Sequence, residues 1–339
     1  MSSFSDLEKS ISDFFSKAGA GTSRGQCDAF ANRTFGGPVA PVSVQGSCSY
    51  TVTNGTTIIQ FREPESPLDI QILPAVQAVH PGIVANHSFH GTIGESPALH
   101  VYSMDVLPGD NYFDISLSLM DHDLDHRLAT VHGLARFFTQ SWQNGTGSRP
   151  NPKSIAAAFE VCCSSFDYLR RNLPSRFQNT ITQVRDSLPA LFSREYPWVP
   201  THGDLSERNI LANPATGEIT GIIDWAEAGI LPFGFALYAL DSLLGYLGWV
   251  FYHAADYLRD EFWRVFREVV GGVSQSEMEL IQLARQVGLF LRYGIPYKPG
   301  RKGVVGVGGA NNTSLKILDG LIPAEEKPAP TPSAHDVTV

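Results

Sequence analysis

The order of two hydrophobic patterns along the chain constrains its fold more than any other feature. Before the Pro108-Gly109 break, apolar residues fall in short β-branched runs separated by tight-turn sequences such as Asn54-Gly55. After the break, apolar residues recur at three- and four-residue spacing in long segments, which is typical of amphipathic helices. With 339 residues and 43% hydrophobic content, the chain is long enough to bury two such parts against each other. The sequence therefore predicts an α+β protein with a small antiparallel β-sheet part followed by a larger, mainly helical part.

The two ends of the chain have patterns of their own. Residues 1–24 contain an acidic amphipathic segment that stops at glycine-rich sequence, which predicts a helical arm packed on the body. Residues 323–339 are rich in Pro, Ser, Ala and charge and lack aromatic residues, which predicts a disordered tail. We therefore expect an N-terminal lobe over residues 25–107 and a C-terminal lobe over residues 108–322.

Charge and composition narrow the classes of partner. The formal net charge is −9 and the sequence has no Lys/Arg block, which disfavours nucleic acid and anionic membranes and favours small molecules. A basic segment followed by a long apolar run is absent from the N-terminus, so we expect a cytoplasmic protein. The four cysteines lack disulfide-type or zinc-type spacing and are expected to be reduced. The sequence does not predict an oligomeric state.

The stretch THGDLSERNILANPATGEITGIIDWAEAG contains the most informative set of polar residues. Asp204 is followed five residues later by Asn209, and Asp224 stands at the end of a β-branched run. In-line phosphoryl transfer needs a carboxylate to accept a hydroxyl proton and oxygen ligands to hold Mg²⁺. The intervening Asn-Pro and Thr-Gly turns predict a hairpin that returns Asp224 toward Asn209. Taken singly, Asp204 and Asn209 are also compatible with turn or cap chemistry.

The quoted motifs resemble those of the aminoglycoside phosphotransferase and choline kinase-like family. The resemblance rests on His-Gly-Asp-Leu-Ser, Asn-Ile-Leu and Ile-Ile-Asp-Trp-Ala-Glu, covers about residues 25–320, and is greatest with the filamentous-fungal branch. It implies a protein-kinase-like bilobal fold and transfer of the γ-phosphate of ATP, with Mg²⁺, to a hydroxyl of a small-molecule acceptor. Secondary metabolism is a setting that the fungal branch would imply.

The resemblance also implies a role for each matching residue of this stretch. Asp204 would be the catalytic base, and Asn209 and Asp224 would bind Mg²⁺. We expect His202 to support the loop by hydrogen bonding rather than to react, and Trp225 to pack rather than to bind ligand.

Two segments of the N-terminal lobe resemble parts of a nucleotide site. The loop QGSCS would cover the phosphates, with Gly46 allowing close backbone approach and Ser47 or Ser49 offering donors, although an ordinary hairpin turn is the alternative. In HVYSMDVLPG, Met104 would line the back of the adenine pocket, with core packing as the alternative. The backbone from Asp105 to Leu107 would bond the adenine edge.

One departure from the family pattern concerns the lysine that contacts the α- and β-phosphates. The third predicted strand, TTIIQFREP, has no Lys, and Arg62 is the matching cation. Asp69 would be its carboxylate partner, or else an exposed carboxylate at a helix N-terminus. The departure keeps open an ATP-binding pseudokinase or scaffold without turnover, and nucleotidyl transfer on the same fold is a third hypothesis.

Overall fold

The computed structural model describes most of the chain. The predicted disordered tail lies outside the described residues and stays a prediction, as do the domain boundaries. The described ranges are 4–17, 21–119, 123–145, 149–246, 250–298, 302–308 and 312–322.

The N-terminal part is built on a five-stranded antiparallel sheet in the order β1-β2-β3-β5-β4. Two helices precede its first strand in the sequence, and a short helix lies between the third and fourth strands. The elements are α1 (Phe4–Lys17), α2 (Arg24–Phe35), β1 (Ala40–Pro41), β2 (Ser49–Thr53), β3 (Thr57–Arg62), α3 (Leu73–Val79), β4 (His87–Ile93) and β5 (Leu99–Asp105).

The predicted Asn-Gly hairpin joins β2 to β3. Gly55 has φ +92°, which a residue with a Cβ rarely adopts, and Asn54 Oδ1 accepts hydrogen bonds from the N–H groups of Thr56 and Thr57. One face of the sheet is covered by α1 and α2, and the resulting core consists of Ile11, Phe14, Cys27, Ala31, Tyr50, Val52, Ile59, Phe61, Leu99 and Val101. The turn chemistry thus sets the register that places the β2 and β3 apolar side chains in one core.

The C-terminal part is mainly helical, with short strands that carry loops. Its helices are α4 (Tyr112–Ser118), α5 (Leu124–Asn144), α6 (Pro152–Asn172), α7 (Gln178–Leu191), α8 (Tyr238–Leu243), α9 (Ala255–Val270), α10 (Gln275–Gly294) and α11 (Asn312–Leu321). Its strands are β6 (Asp110–Asn111), β7 (Trp198–Thr201), β8 (Ile210–Ala212), β9 (Ile219–Ile222), β10 (Gly229–Pro232), β11 (Gly245–Tyr246) and β12 (Val250–Phe251). The α+β class and the order of its two parts are therefore confirmed.

Helix α3 provides part of the contact between the two parts. Leu73 and Val76 of this helix belong to the same buried cluster as the side chains of the C-terminal helices. His80, at the end of α3, is fully buried with its ring stacked on Phe137 of α5 at a centroid distance of 4.0 Å. The segment that follows β3 is thus anchored on the helical part. Among the described residues, no helix is long and apolar enough to cross a membrane.

Candidate active site

Two antiparallel strand pairs of the C-terminal part bring the sequence-predicted residues together. The strand β7 ends immediately before His202 and pairs with β10, while β8 begins immediately after Asn209 and pairs with β9. The predicted return of the chain between Asn209 and Asp224 is therefore the observed β8–β9 hairpin. Its register places Ile210 opposite Ile222, so the loop around Asp204 and the loop around Asp224 lie side by side.

His202 connects these two loops. It is completely buried; its Nε2 donates to the carbonyl of Ile223 at 2.7 Å, and its Nδ1 accepts from the backbone N–H of Asp204 at 3.2 Å. These contacts fix the tautomer, and burial lowers the pKa of the imidazole, so the ring is neutral. His202 thus has a structural role, because its hydrogen bonds join the two loops. The ring centroid of the buried Trp225 lies 4.5 Å from the ring centroid of His202. Trp225 packs, as expected from the sequence.

Asn209 is held by the same network. Its side-chain Nδ2 donates to the backbone carbonyl of Asp204 at 2.7 Å, and the backbone carbonyl of Asn209 accepts from the N–H of Ile223 at 3.0 Å. Because the amide nitrogen is committed to Asp204, Oδ1 is the atom of this side chain that could bind a cation. The hydrogen bond to Asp204 therefore fixes the orientation of the Asn209 side chain, the predicted metal ligand.

Asp224 has an uncommon backbone conformation. Its φ is +60°, and it is the only non-glycine residue with a positive φ in the described ranges. Such a conformation is uncommon in L-residues, least so in Asp and Asn, and tends to occur at functional sites. The side chain is 41% exposed, and its Oδ1 lies 3.7 Å from Nη1 of Arg62.

Arg62, at the end of β3, is buried and fixed on three sides. Its Nε donates to the carbonyl of Ser66 at 2.8 Å, its Nη2 to Ser66 Oγ at 3.0 Å, and its Nη1 to Gln60 Oε1 at 3.1 Å. Its carboxylate contact is Asp224. The guanidinium thus lies beside Asp224, the predicted metal ligand.

Asp69 lies near the N-terminus of α3, as the second of its two predicted roles requires, although it is half-buried rather than exposed. Its Oδ1 accepts from the N–H groups of Gln71 and Ile72, at 3.0 and 3.3 Å, just before α3 begins. A short polar side chain that bonds nearby amides in this way stabilises the start of a helical turn. Asp69 does not pair with Arg62 in the structure; its Oδ1 is bonded to these two amides instead.

The predicted phosphate loop differs from a simple strand-turn-strand. The strand β1 has only two residues, and the chain then leaves the sheet until β2 begins at Ser49. The side chain of Gln45 replaces the missing strand contacts, donating to the carbonyls of Val42 and Thr51 and accepting from the N–H of Thr51. In this loop the side-chain amide of Gln45 makes hydrogen bonds that a paired strand would make with its backbone.

The three residues expected at the phosphates lie in different environments within this loop. Gly46 and Ser47 are exposed, whereas Ser49 is buried in β2, directly opposite Arg62 and 3.5 Å from Thr51 Oγ1.

The predicted adenine-edge residues follow β5. Met104 is half-buried and pairs across the sheet with Ile58 and His87. The N–H of Asp105 donates to the carbonyl of Asn86 at 3.0 Å, so its carbonyl is the backbone group left for a ligand. Leu107 lies against Gly221, where a Cβ would come within 2.8 Å of Leu107 Cδ1.

A segment over residues 302–308 crosses both loops and was not foreseen from the sequence. Gly303 donates its N–H to the carbonyl of Glu227 at 2.8 Å, and Val305 donates its N–H to the carbonyl of Gly203 at 2.9 Å. Gly203 has φ +81°, and a Cβ there would come within 2.5 Å of the Gly303 carbonyl oxygen. Glycine in the His-Gly-Asp motif is thus required by this crossing.

Lys302 links residues 302–308 to the N-terminal part by a hydrogen bond. Its Nζ donates to the carbonyl of Pro67 at 3.0 Å and to the carbonyl of Ala226. The residue as a whole is exposed, yet burial lowers the pKa of its ammonium group.

Two more charged residues of the site were missed by sequence reasoning. Burial, with the nearby negative charge of Asp224, raises the pKa of Glu227 to about 7. Arg292 of α10 places Nη1 2.5 Å from Asp204 Oδ1. Glu227 stood within the quoted motif and could have been found, but no local pattern distinguishes Arg292 from a surface helix residue.

Comparisons with known proteins concern the sequence pattern and the fold of the chain. Residues 109–264 match the sequence profile of the phosphotransferase enzyme family. No curated protein matches the chain in sequence. A protein from Ralstonia eutropha JMP134, provisionally described as an aminoglycoside phosphotransferase, is similar in structure, with 15% identity, 79% of this chain and 85% of that chain covered, and a TM-score of 0.53.

Two further solved structures are less similar. A choline/ethanolamine kinase family protein from Mesorhizobium loti has 12% identity, coverage of 76% of this chain and 77% of that chain, and a TM-score of 0.48. The aminoglycoside phosphotransferase APH(3'')-Id from Streptomyces rimosus has 14% identity, coverage of 76% and 97%, and a TM-score of 0.47. At such identities, the Ralstonia similarity shows the fold alone. The chain therefore has the protein-kinase-like bilobal α+β fold, and its residues 109–264 have the sequence pattern of the phosphotransferase enzyme family.

Proposed function

We propose that the protein is an ATP- and Mg²⁺-dependent kinase that transfers the γ-phosphate to a hydroxyl of a small-molecule metabolite. The observation that carries the proposal is the convergence of Asp204, Asn209 and Asp224 through His202 and the backbone of Ile223. This set combines one base and two oxygen ligands, which is what in-line phosphoryl transfer requires. The resemblance to a fungal branch, and with it a setting in secondary metabolism, stays a prediction.

Asp204 acts as the base in this proposal. The acceptor oxygen forms a bond to the γ-phosphorus, the bond from that phosphorus to the β,γ-bridging oxygen breaks, and the acceptor proton passes to Asp204. The leaving group is ADP. A carboxylate attached to a braced loop suits this role because the base must lie within hydrogen-bond reach of the hydroxyl it deprotonates.

Asn209 and Asp224 fit a magnesium ion. Both offer hard oxygen ligands, Asn209 through a preoriented Oδ1 and Asp224 through a side chain that is 41% exposed. When bound, Mg²⁺ would neutralise charge on the phosphates. Arg62 would keep its hydrogen bonds to Ser66, while its Nη1, which lies 3.7 Å from Asp224 Oδ1, would donate a charge-assisted hydrogen bond to a phosphate oxygen. The loop with Gly46 and Ser47 and the segment from Met104 to Leu107 would hold the rest of the nucleotide.

A second candidate function is ATP binding without turnover. It is favoured by Arg62 in place of lysine and by the contact of Arg62 with Asp224, which competes with metal binding. Turnover decides between the two candidates, because both predict ATP affinity.

The test is transfer of label from γ-labelled ATP to the small-molecule fraction of a metabolite extract, with Asp204→Asn protein as the blank. The proposal expects a labelled product that needs Mg²⁺ and is absent from the blank. Binding of ATP with neither labelled product nor hydrolysis above the blank would establish the pseudokinase. A product carrying a nucleotidyl group, detected by its mass, would indicate nucleotidyl transfer.

A further inference from the structure

Arg292 is buried against the catalytic loop. It lies near the end of α10, its side chain is only 10% exposed, and its Nη1 is 2.5 Å from Asp204 Oδ1. The same Nη1 donates a hydrogen bond to the carbonyl of Val305 at 3.1 Å. Because an N–H of Nη1 is directed at the carbonyl of Val305, the contact between Nη1 and Asp204 Oδ1 is described as a close ion pair.

The surroundings of Arg292 fix its position. Its guanidinium lies 5.5 Å from the ring centroid of Tyr238, whose hydroxyl donates to the carbonyl of Gly203 at 2.8 Å. Val305 in turn donates to the same carbonyl of Gly203. Arg292 is thus part of a frame that holds the residue preceding Asp204 from two sides.

The two oxygens of the Asp204 carboxylate are not equivalent. The side chain is 29% exposed, but Oδ1, the oxygen beside Arg292, is buried. The oxygen open to an approaching ligand is therefore Oδ2. Without a contact at Oδ1, rotation about the Cβ–Cγ bond could exchange the two atoms.

We propose that Arg292 is a positioning residue for phosphoryl transfer, holding Asp204 by Oδ1 so that Oδ2 is presented to the acceptor hydroxyl. This rests on the proposed function, since it assigns a task to Asp204 as the base. A positioned base reacts from one geometry, and small misplacements of a catalytic group lower rates steeply.

The chain offers a matched control on the same helix. Arg285 lies seven residues before Arg292, two turns away, and pairs with Asp241, whose side chain is only 1% exposed. Both Asp241 oxygens accept from Arg285. That pair is a buried arginine–aspartate contact without an oxygen open to a ligand, so its loss affects stability alone.

The experiment compares Arg292→Met, Arg292→Lys and Arg285→Met with the parent by Mg²⁺-dependent ATP hydrolysis, ATP affinity and thermal midpoint. For Arg292→Met we expect kcat per folded molecule to fall roughly tenfold or more with ATP affinity within about twofold of the parent. Arg292→Lys, which keeps the charge on a differently shaped group, should recover part of kcat. Arg285→Met should lower the thermal midpoint and leave kcat per folded molecule unchanged.

Each outcome decides the inference. Parent-like kcat in folded Arg292→Met overturns it, as does a parallel loss of ATP affinity, which would indicate general collapse of the site. If Arg292→Met does not fold, Arg292→Lys decides in its place: lowered kcat with retained ATP affinity supports positioning, and parent-like kcat overturns it. A parent without any turnover overturns the proposed function itself, whereas turnover that Arg292→Met retains overturns only the role of Arg292.

Discussion

Replacing Glu227 by glutamine should make the stability of the protein less dependent on pH. Burial is the main cause that raises the pKa of this carboxyl to about 7, and the negative charge of Asp224 adds to the effect. Arg62 and Lys302 oppose it without cancelling it. Ionised Glu227 is therefore a destabilising charge in the folded protein, and glutamine has the same shape without that charge.

The sign and size of the effect follow from the two pKa values. In the unfolded chain the carboxyl titrates at its ordinary value of 4.5, so between pH 4.5 and about 7 the folded state keeps a proton that the unfolded state has lost. The free energy of unfolding of the parent therefore falls as pH rises through this window. Below this window the carboxyl is protonated in both states. Above it the full cost of the ionised carboxylate is present, which is at most about 3.4 kcal/mol for a difference of 2.5 pKa units at 1.36 kcal/mol each. The advantage of Glu227→Gln over the parent should thus grow by about 1–3 kcal/mol between pH 4.5 and 8.

Urea unfolding of both proteins at several pH values, in buffer with EDTA, measures this difference without interference from a bound cation. Groups that titrate equally in both proteins cancel in the difference. Glu195→Gln, which removes an exposed carboxylate, is the control for a lost surface charge. A difference between Glu227→Gln and the parent that stays constant from pH 4.5 to 8 would refute the reasoning.

Substitutions at four further residues test the roles assigned to the site. Asp204→Asn should lower turnover about 100-fold or more while ATP affinity is kept, the scale of a lost general base, and near-parent turnover in folded protein would remove Asp204 from the mechanism. Asp224→Ala should weaken Mg²⁺-dependent ATP binding more than Asn209→Ala, because a carboxylate supplies charge and an amide only a dipole; a Mg²⁺ titration at fixed ATP that finds both unaltered would contradict the assignment. Arg62→Ala should lower the rate of ATP hydrolysis at least about tenfold, since one charge-assisted hydrogen bond is worth about 1.5–3 kcal/mol, and Arg62→Lys should recover part of it. Parent-like hydrolysis by Arg62→Ala would mean that its guanidinium serves only Ser66 and Gln60.

Features set by neighbours in sequence could be predicted from the sequence. The Asn54-Gly55 turn is one example, because few dipeptides adopt its backbone angles and the flanking β-branched residues then pair in a fixed register. The β8–β9 hairpin between Asn209 and Asp224 is another. The support of the loop by His202 was also expected from the motif. Its hydrogen bond with the N–H of Asp204 is local, whereas the one to the carbonyl of Ile223 joins residues 21 apart.

Competition among short-range contacts was harder to predict. The carboxylate of Asp69 can cap the turn before α3 or reach Arg62, and the sequence allows both. The N–H groups of Gln71 and Ile72 bind Asp69 Oδ1 because the backbone itself holds them within hydrogen-bond distance. Likewise, Gln45 replaces strand contacts with its side chain, which a β-branched pattern before Gly46 does not reveal.

The sequence by itself determined the α+β order, the turns and the spacing between Asp204 and Asn209, because each depends on residues close together in the chain. Only the tertiary structure decided what surrounds that loop: the segment over residues 302–308 that crosses it, Lys302 on the carbonyl of Ala226, and Arg292 beside Asp204. Those contacts depend on where α10 and the segment after it lie relative to the loop around Asp204. A helix residue that faces a distant loop has the same spacing as one that faces the core, so the identity of its neighbour is fixed by packing alone.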